Sequence, residues 1–402
     1  MIKIFGLGLA AFFLFLVQKW VYRRLWNRNL SVTLEFAASA LFEGEKGELL
    51  EIIENRKRLP LPVLKVKFQT DRNLSFADTK GAKVTDQFYR NDVFQIGGGE
   101  KITRILSFTA TRRGYYKING IDLVAADLFL TTEMLESRGT DQYLYVYPRP
   151  YGGREFFLSL QQLNAEVLTR RYFPEDPFEY RGIREYQPYD DIRNVNWKAT
   201  AKTEEWKVNL KNCTSLQTVR IFFNIEDRGI LKKAQSVEAS FRVVCGLAEF
   251  FLSEGIQVSC YGNGTDILNG EPVELAPSAG TGQMECIYKA LARVDTERPA
   301  VSFAAYFGRR LMEGRQERNG FQAAMTAKQP WQEHGRSAHI LSAGYEPMTF
   351  FVAPNGYEEF ADLLRKYREA GGEFRWFCPV CGAQEPDLPP DLAQFVHMVR
   401  EA

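Results

Sequence analysis

The chain of 402 residues is 45% hydrophobic and 25% charged, a globular composition too apolar for a disordered or fibrous protein. Lys and Arg number 51 against 50 Asp and Glu, so a net charge of +1 leaves no whole-chain field to draw it onto nucleic acid. Six cysteines in this length exclude a dense disulfide framework and fit a reducing compartment, and three histidines, all in the last fifth, argue against a His-rich metal site or a His-based triad.

Residues 1–29 read as a membrane anchor with a basic flank. Ile4 to Val17 carries no charge. That run is shorter than the roughly 20 residues a spanning helix needs, but Lys3 and Lys19 can snorkel and Trp20 and Tyr22 can sit among headgroups, which extends the span to residues 2–22. No small-x-small cleavage site follows the apolar core, so a retained anchor is expected rather than a cleaved signal. Lys19, Arg23, Arg24 and Arg28 follow the segment and only Lys3 precedes it. The positive-inside rule then predicts a single-pass protein of the cell membrane with its C-terminal body in the cytoplasm.

From 30 to 150 the text is short alternating strands with turn signals and no helical period, which predicts an antiparallel β-sandwich. Gly97-Gly98-Gly99 lacks a following helix and reads as a hairpin turn. Residues 151–217 read as a linker holding a dense polar segment, Glu179 to Lys207, crowded with Arg, Asp, Trp and Tyr. Such crowding marks a satisfied polar network at a junction or a functional site. From 218 to 402 strands and helices alternate. VRIFFNI is fit for a buried parallel strand, followed by a helix over 234–253, IQVSCYG, a helix over 284–294, MTFFVAP, a helix over 357–370 and EFRWFCPV. That order predicts a doubly wound α/β domain. Residues 303–342 are polar, basic in patches, and carry no clear period.

In the polar segment, Arg184, Tyr186, Asp190, Arg193, Trp197, Lys198 and Ala201 resemble the signature of the domain of unknown function 58 family, approximately R-x-Y-x-x-G-D-x-x-R-x-I-x-W-K-x-x-A. Arg112-Arg113-Gly114-Tyr115, Asp127-Leu128-Phe129 and Val146-Tyr147-Pro148 are similar to that family's sandwich region, although Tyr189 stands where the family has Gly. The resemblance implies a membrane-anchored bacterial protein with a von Willebrand factor A-like domain, working beside a MoxR-type AAA+ ATPase in assembling or maturing other proteins. It implies no known reaction.

A von Willebrand-type domain holds Mg²⁺ with D-x-S-x-S, a later Thr and a further Asp, oxygen ligands suited to a hard cation. Here the first loop reads Asn224-Ile225-Glu226-Asp227-Arg228, Thr281 could fill the Thr position, and Asn355 stands where an acid is expected. A metal-free interaction surface is expected, with Glu226, Asp227 and Thr281 as the residual Mg²⁺ candidates. Cys378-Pro379-Val380-Cys381 has the spacing of a zinc knuckle on a tight turn but lacks a second pair of ligands. Asp190 with Glu205-Trp206-Lys207 formally matches the D…E-x-K of a metal-dependent hydrolase. No P-loop and no G-x-S-x-G elbow is present, so any ATP hydrolysis falls to a partner.

The sequence therefore predicts a non-enzymatic, cofactor-free adaptor or assembly factor. Its partners would be the bilayer, a MoxR-type AAA+ ATPase and a client protein, with no nucleic acid. Arg184, Tyr186, Asp190, Arg193, Trp197 and Lys198 would form its binding or structural core, with Asp190 pairing an Arg and Trp197 packing as an anchor. A metal-dependent hydrolase and a structural cell-envelope protein are the alternatives.

Overall fold

The computed structural model describes residues 2–78, 82–84, 87–169, 180–187, 195–203, 205–211, 217–226, 234–310, 347–382, 386 and 388–401. Two compact units divide the chain, Met1–Arg149 with Tyr288–Val294, and Pro150–Ile287 with Asp295–Ala402.

The first unit opens with α1 (Ile2–Leu25), followed by β1 (Leu30–Phe36), β2 (Ala40–Phe42), β3 (Lys46–Asn55), β4 (Leu61–Asp71) and β5 (Leu74–Phe76). β6 (Ala82–Val84), β7 (Gln87–Ile96), β8 (Lys101–Ala110), β9 (Gly114–Ala126) and β10 (Glu133–Tyr147) complete it. The strands form two sheets, β1-β3-β8-β5 and β2-β10-β9-β4-β7-β6. Apolar residues alternate along each strand, so Leu49 and Ile53 of one sheet and Val66, Phe68 and Phe88 of the other share a single core. This is the expected sandwich, with two departures. β2 pairs parallel with β10 through Ala40↔Tyr145 to Phe42↔Tyr147. The Gly97–Gly99 turn is not a hairpin, because β7 and β8 lie in different sheets and the turn carries the chain across. Gly98 is required there, since a Cβ would meet the Arg58 carbonyl oxygen at 2.4 Å.

Inward positions of the sandwich also hold charge. Arg90 and Asp92 of β7 and Glu51 of β3 are buried, and Glu51 faces Arg104 of β8 across the ladder. Arg104 Nη1 donates to Asp92 Oδ1 at 2.8 Å and Nη2 to Asp78 Oδ2 at 2.9 Å, while Arg90 Nε donates to Asp92 Oδ2 at 2.5 Å. Among the described residues neither carboxyl oxygen of Glu51 has a hydrogen-bond partner. Burial, and after it the Asp92 charge, pushes the Glu51 carboxyl up to about 8. A neutral Glu51 leaves two guanidinium groups against two carboxylates, so the cluster balances.

α1 is apolar and long enough to cross a membrane over Ile4–Leu25, and none of the side chains in its most apolar stretch is buried within the protein. Its C-terminal end differs. Tyr22 and Trp26 are 3% and 5% exposed and belong to the sandwich core, and the Tyr22 hydroxyl donates to the Pro60 carbonyl at 2.9 Å.

The second unit carries α2 (Arg154–Thr169), β11 (Tyr180–Glu185), α3 (Trp197–Thr203), β12 (Lys207–Lys211), β13 (Thr218–Phe223), α4 (Ala234–Ser253), β14 (Gln257–Asp266), β15 (Pro272–Ser278) and α5 (Thr281–Arg293), whose last turns belong to the first unit. β16 (Met348–Val352), α6 (Glu358–Glu369), β17 (Phe374–Cys381) and β18 (Val396–Glu401) follow. The main sheet runs β15-β14-β13-β16-β17-β18, parallel throughout except for the antiparallel β15. Period-2 alternation gives it two apolar faces. Phe223 packs on Phe241 of α4, and Phe350 on Phe251 of the same helix. Phe222 and Phe351 meet Phe307 of the helical segment 303–310, and Phe351 also meets Phe360 of α6. Helices on both faces of a largely parallel sheet are the α/β arrangement the alternation predicted. The antiparallel β15 and the terminal strand β18 extend it.

Candidate functional site

Two places in the second unit gather the residues that the sequence singled out. The first is a two-stranded ribbon, β11 paired antiparallel with β12 from Tyr180↔Lys211 to Glu185↔Lys207. A bridge between Val195 and Val208, both buried, closes its base. α3 buries no side chain of its own and is held by local hydrogen bonds instead. Asn196 Oδ1 accepts the Ala199 amide at 2.9 Å as a helix cap, and Thr200 Oγ1 accepts the Lys207 amide at 3.0 Å. The Tyr186 amide donates to the Trp206 carbonyl at 2.8 Å and the Asn196 amide to the Lys207 carbonyl at 2.8 Å.

These bonds bring three rings together at the surface. Trp206 lies 5.4 Å from Tyr186 and 5.9 Å from Trp197, centroid to centroid. Trp197 is 61% exposed, Trp206 50% and the neighbouring Ile183 53%. Trp197 is therefore not a core anchor; it stands in solvent against a second tryptophan. Beside the rings, Lys207 Nζ lies 2.9 Å from Glu205 Oε2 and 3.4 Å from Glu185 Oε1. The Glu205 hydrogen bond raises the Lys207 ammonium above its ordinary range, so it stays charged and holds Glu205 in an ion pair. Arg184 Nη1 donates to the Glu185 carbonyl, and Lys198 is exposed. Asp190 and Arg193 lie outside the described residues, as does any pairing of Asp190 with an Arg or with Glu205. The sequence reading did not single out Ile183, Asn196 or Trp206, although Trp206 stood in the same crowded text. An aromatic surface ringed by paired charges is chemistry for contact with another macromolecule.

The second place is the C-terminal edge of the parallel strands, beside the β13–β16 junction where chain order reverses and ligands of open α/β sheets commonly sit. Asn224 and Asn263 are buried there. Asn263 Nδ2 donates to Asn224 Oδ1 at 2.9 Å and to the Val301 carbonyl at 2.8 Å, and Asn263 Oδ1 accepts the Ile225 amide at 3.0 Å. Asn224 Oδ1 also accepts the Glu226 amide at 2.8 Å, and Glu226 Oε2 accepts the Phe303 amide at 2.9 Å. Residue 262 must be Gly for this approach, because a Cβ there would meet the Phe223 ring at 2.0 Å. Thr281 starts α5 and is exposed, Asn355 Nδ2 donates to the Tyr357 hydroxyl at 3.4 Å, and Asp227 lies outside the described residues. Among the described residues no group of three His, Cys, Asp or Glu could hold a metal ion.

Cys378 and Cys381 are not on a tight turn. Both lie in β17, paired with Met398 and Glu401 of β18, and positions three apart on an extended strand face opposite ways. Their sulfurs cannot grip one Zn²⁺ from there. Cys260 is buried and its thiol is pushed up to about 12 by burial, which leaves it inert.

No protein-family model matches this chain, and no curated protein matches it. Solved structures similar to part of it include the CARDB domain of a Pyrococcus furiosus protein in complex with di-metal ions, at 16% identity and a TM-score of 0.20, covering 30% of this chain and 90% of that one. A cohesin module from a Clostridium perfringens family 33 glycoside hydrolase is similar at 10% identity and a TM-score of 0.23, covering 30% of this chain and 98% of its own. A non-cellulosomal cohesin from Archaeoglobus fulgidus is similar at 13% identity and a TM-score of 0.20, covering 32% and 97% respectively.

Proposed function

We propose that this protein is a membrane-anchored, cytoplasm-facing interaction adaptor or assembly factor of the domain of unknown function 58 type, acting with a MoxR-type AAA+ ATPase on a client protein. The observation that carries the reading is the exposed pair Trp197 and Trp206, with the half-buried Tyr186 packed against Trp206. Large aromatic side chains left in water at one place are the usual anchors of a protein interface. The largely parallel sheet with helices on both faces supports a von Willebrand factor A-like second unit. The Asn224–Asn263 amide pair, and a Glu226 carboxylate already engaged by a backbone amide, support an interaction face that works without a metal. Burial of Tyr22 and Trp26 in the sandwich supports a retained anchor, because cleavage beyond the apolar run would remove core side chains. The basic residues after α1 support the cytoplasmic side.

The test is affinity capture of tagged full-length protein from gently solubilised membranes under ATP-trapping conditions. An AAA+ ATPase should co-purify with the wild type. The Trp197→Ala/Trp206→Ala double variant should lose it while its melting temperature stays within about 2–4 °C, as expected for exposed positions in a chain of this size. Undiminished capture by the variant, or no ATPase with either protein, would sink the reading.

A further inference from the structure

The loop between β9 and β10 presents Leu128, Phe129 and Leu130 to the outside at 52%, 58% and 62% exposure. Three consecutive large apolar side chains at a loop tip are costly in water. The loop is nevertheless rigidly built. Asp127, itself buried, accepts the Thr131 amide at 2.6 Å and the Thr131 hydroxyl at 2.7 Å, while the Leu130 amide donates to the Asp127 carbonyl at 3.0 Å. Leu130 is held at φ +58, a conformation that non-glycine residues seldom adopt. The tip is thus a fixed wedge whose apolar side chains point away from the sandwich core.

Its position says what it meets. Gln18 Nε2 of α1 donates to Asp127 Oδ2 at 3.3 Å, and the Phe15 and Phe129 rings lie 5.8 Å apart. Phe15 precedes Trp20 by five residues, about 7.5 Å along the helix axis, on the apolar side of the aromatic and basic collar. A residue packed beside Phe15 shares its depth. On the collar side, Arg23, Arg24 and Arg28 are exposed and suit anionic headgroups. We infer that Leu128, Phe129 and Leu130 enter the acyl region of the leaflet nearer the sandwich, so that the first unit sits on the bilayer at two points, the helix and the wedge. This rests on the reading of α1 as a retained membrane helix.

The test uses full-length protein in vesicles of phosphatidylethanolamine and phosphatidylglycerol containing lipid spin-labelled on the acyl chain. A fluorescent noncanonical amino acid replaces Phe129, Phe12 of α1, or Asp141, whose side chain is 97% exposed some 25 Å along β10 from the loop. The probes at 12 and 129 should both lose most of their fluorescence to the spin label, and the probe at 141 should keep it. If the probe at 12 is quenched while that at 129 behaves like that at 141, the wedge stays in water and the inference falls with the anchor intact. If the probe at 12 is also unquenched, the anchor reading itself fails and the wedge with it.

Discussion

In the sandwich one buried polar cluster is charged or chargeable, Arg90, Asp92 and Glu51, whereas the buried cluster at the strand ends of the second unit is made of neutral amides, Asn224 and Asn263. Both sets are withdrawn from water, and their hydrogen bonds have similar lengths, 2.5 and 2.8 Å for the two Asp92 bonds against 2.8 to 3.0 Å around Asn263. The difference lies in what each cluster requires. Amides share bonds at any pH, while the ionic cluster balances only so long as Glu51 keeps its proton. Sensitivity to pH and to single-partner loss should therefore concentrate in the sandwich.

The largest effect is expected from removing one ion of the buried cluster. Arg90→Met should cost about 3–5 kcal/mol in chemical denaturation at pH 7, because Asp92 is left buried with a diminished partner set, and Arg90→Met/Asp92→Leu should recover much of that loss. A single variant no worse than the double would break the contrast. Next comes the pH dependence of Glu51, whose carboxyl sits at about 8 in the folded protein against an ordinary 4.5. Between those values the folded state holds a proton that the unfolded chain has released. Glu51's contribution to stability is thus complete below about pH 4.5 and is lost as pH rises through 8, at a rate on the order of 1 kcal/mol for each pH unit crossed. Glu51→Gln should flatten that slope in denaturation midpoints taken from pH 5 to 8, and an unchanged slope would assign it elsewhere. The smallest of the three is Asn224→Asp, which introduces into the amide cluster the charge it lacks. A loss of about 1–3 kcal/mol at pH 7, partly regained on acidification, is expected by thermal melting. A gain in stability instead would show that the site is built for an acid.

Much of the architecture could be read from pattern alone. α4 has apolar residues at helical spacing and forms over Ala234–Ser253, and VRIFFNI forms β13 because an apolar run of β-branched and aromatic residues suits a strand buried on both faces. What the pattern missed has a common cause. Glycines at 97–99 specify a reversal but not whether the flanking strands pair, so a crossing between sheets looked like a hairpin. Charges at 51, 90 and 92 share the inward phase of Leu49, Ile53 and Phe88, and only the second sheet placed opposite supplies the partners that let charge sit there. At the candidate sites, Tyr186, Trp197, Glu205 and Lys207 stood out by chemistry. Asn263 did not, because its role depends on the Phe223↔Gly262 register that lays β13 beside β14. The C-x-x-C spacing misled because the same four letters serve a turn or a strand, and burial of Trp376, Phe377 and Cys378 decided for the strand.

Tyr22 and Trp26 lend the sandwich two aromatic core members from the end of a helix whose remainder lies in no protein core. Folding of the strands is thereby tied to the placement of the helix, because the sandwich core is incomplete without these two rings. The sandwich closes only when β10 arrives to pair with β9. The sandwich thus completes its core against the end of the helix, and the finished unit holds one orientation relative to α1 rather than a tether's many.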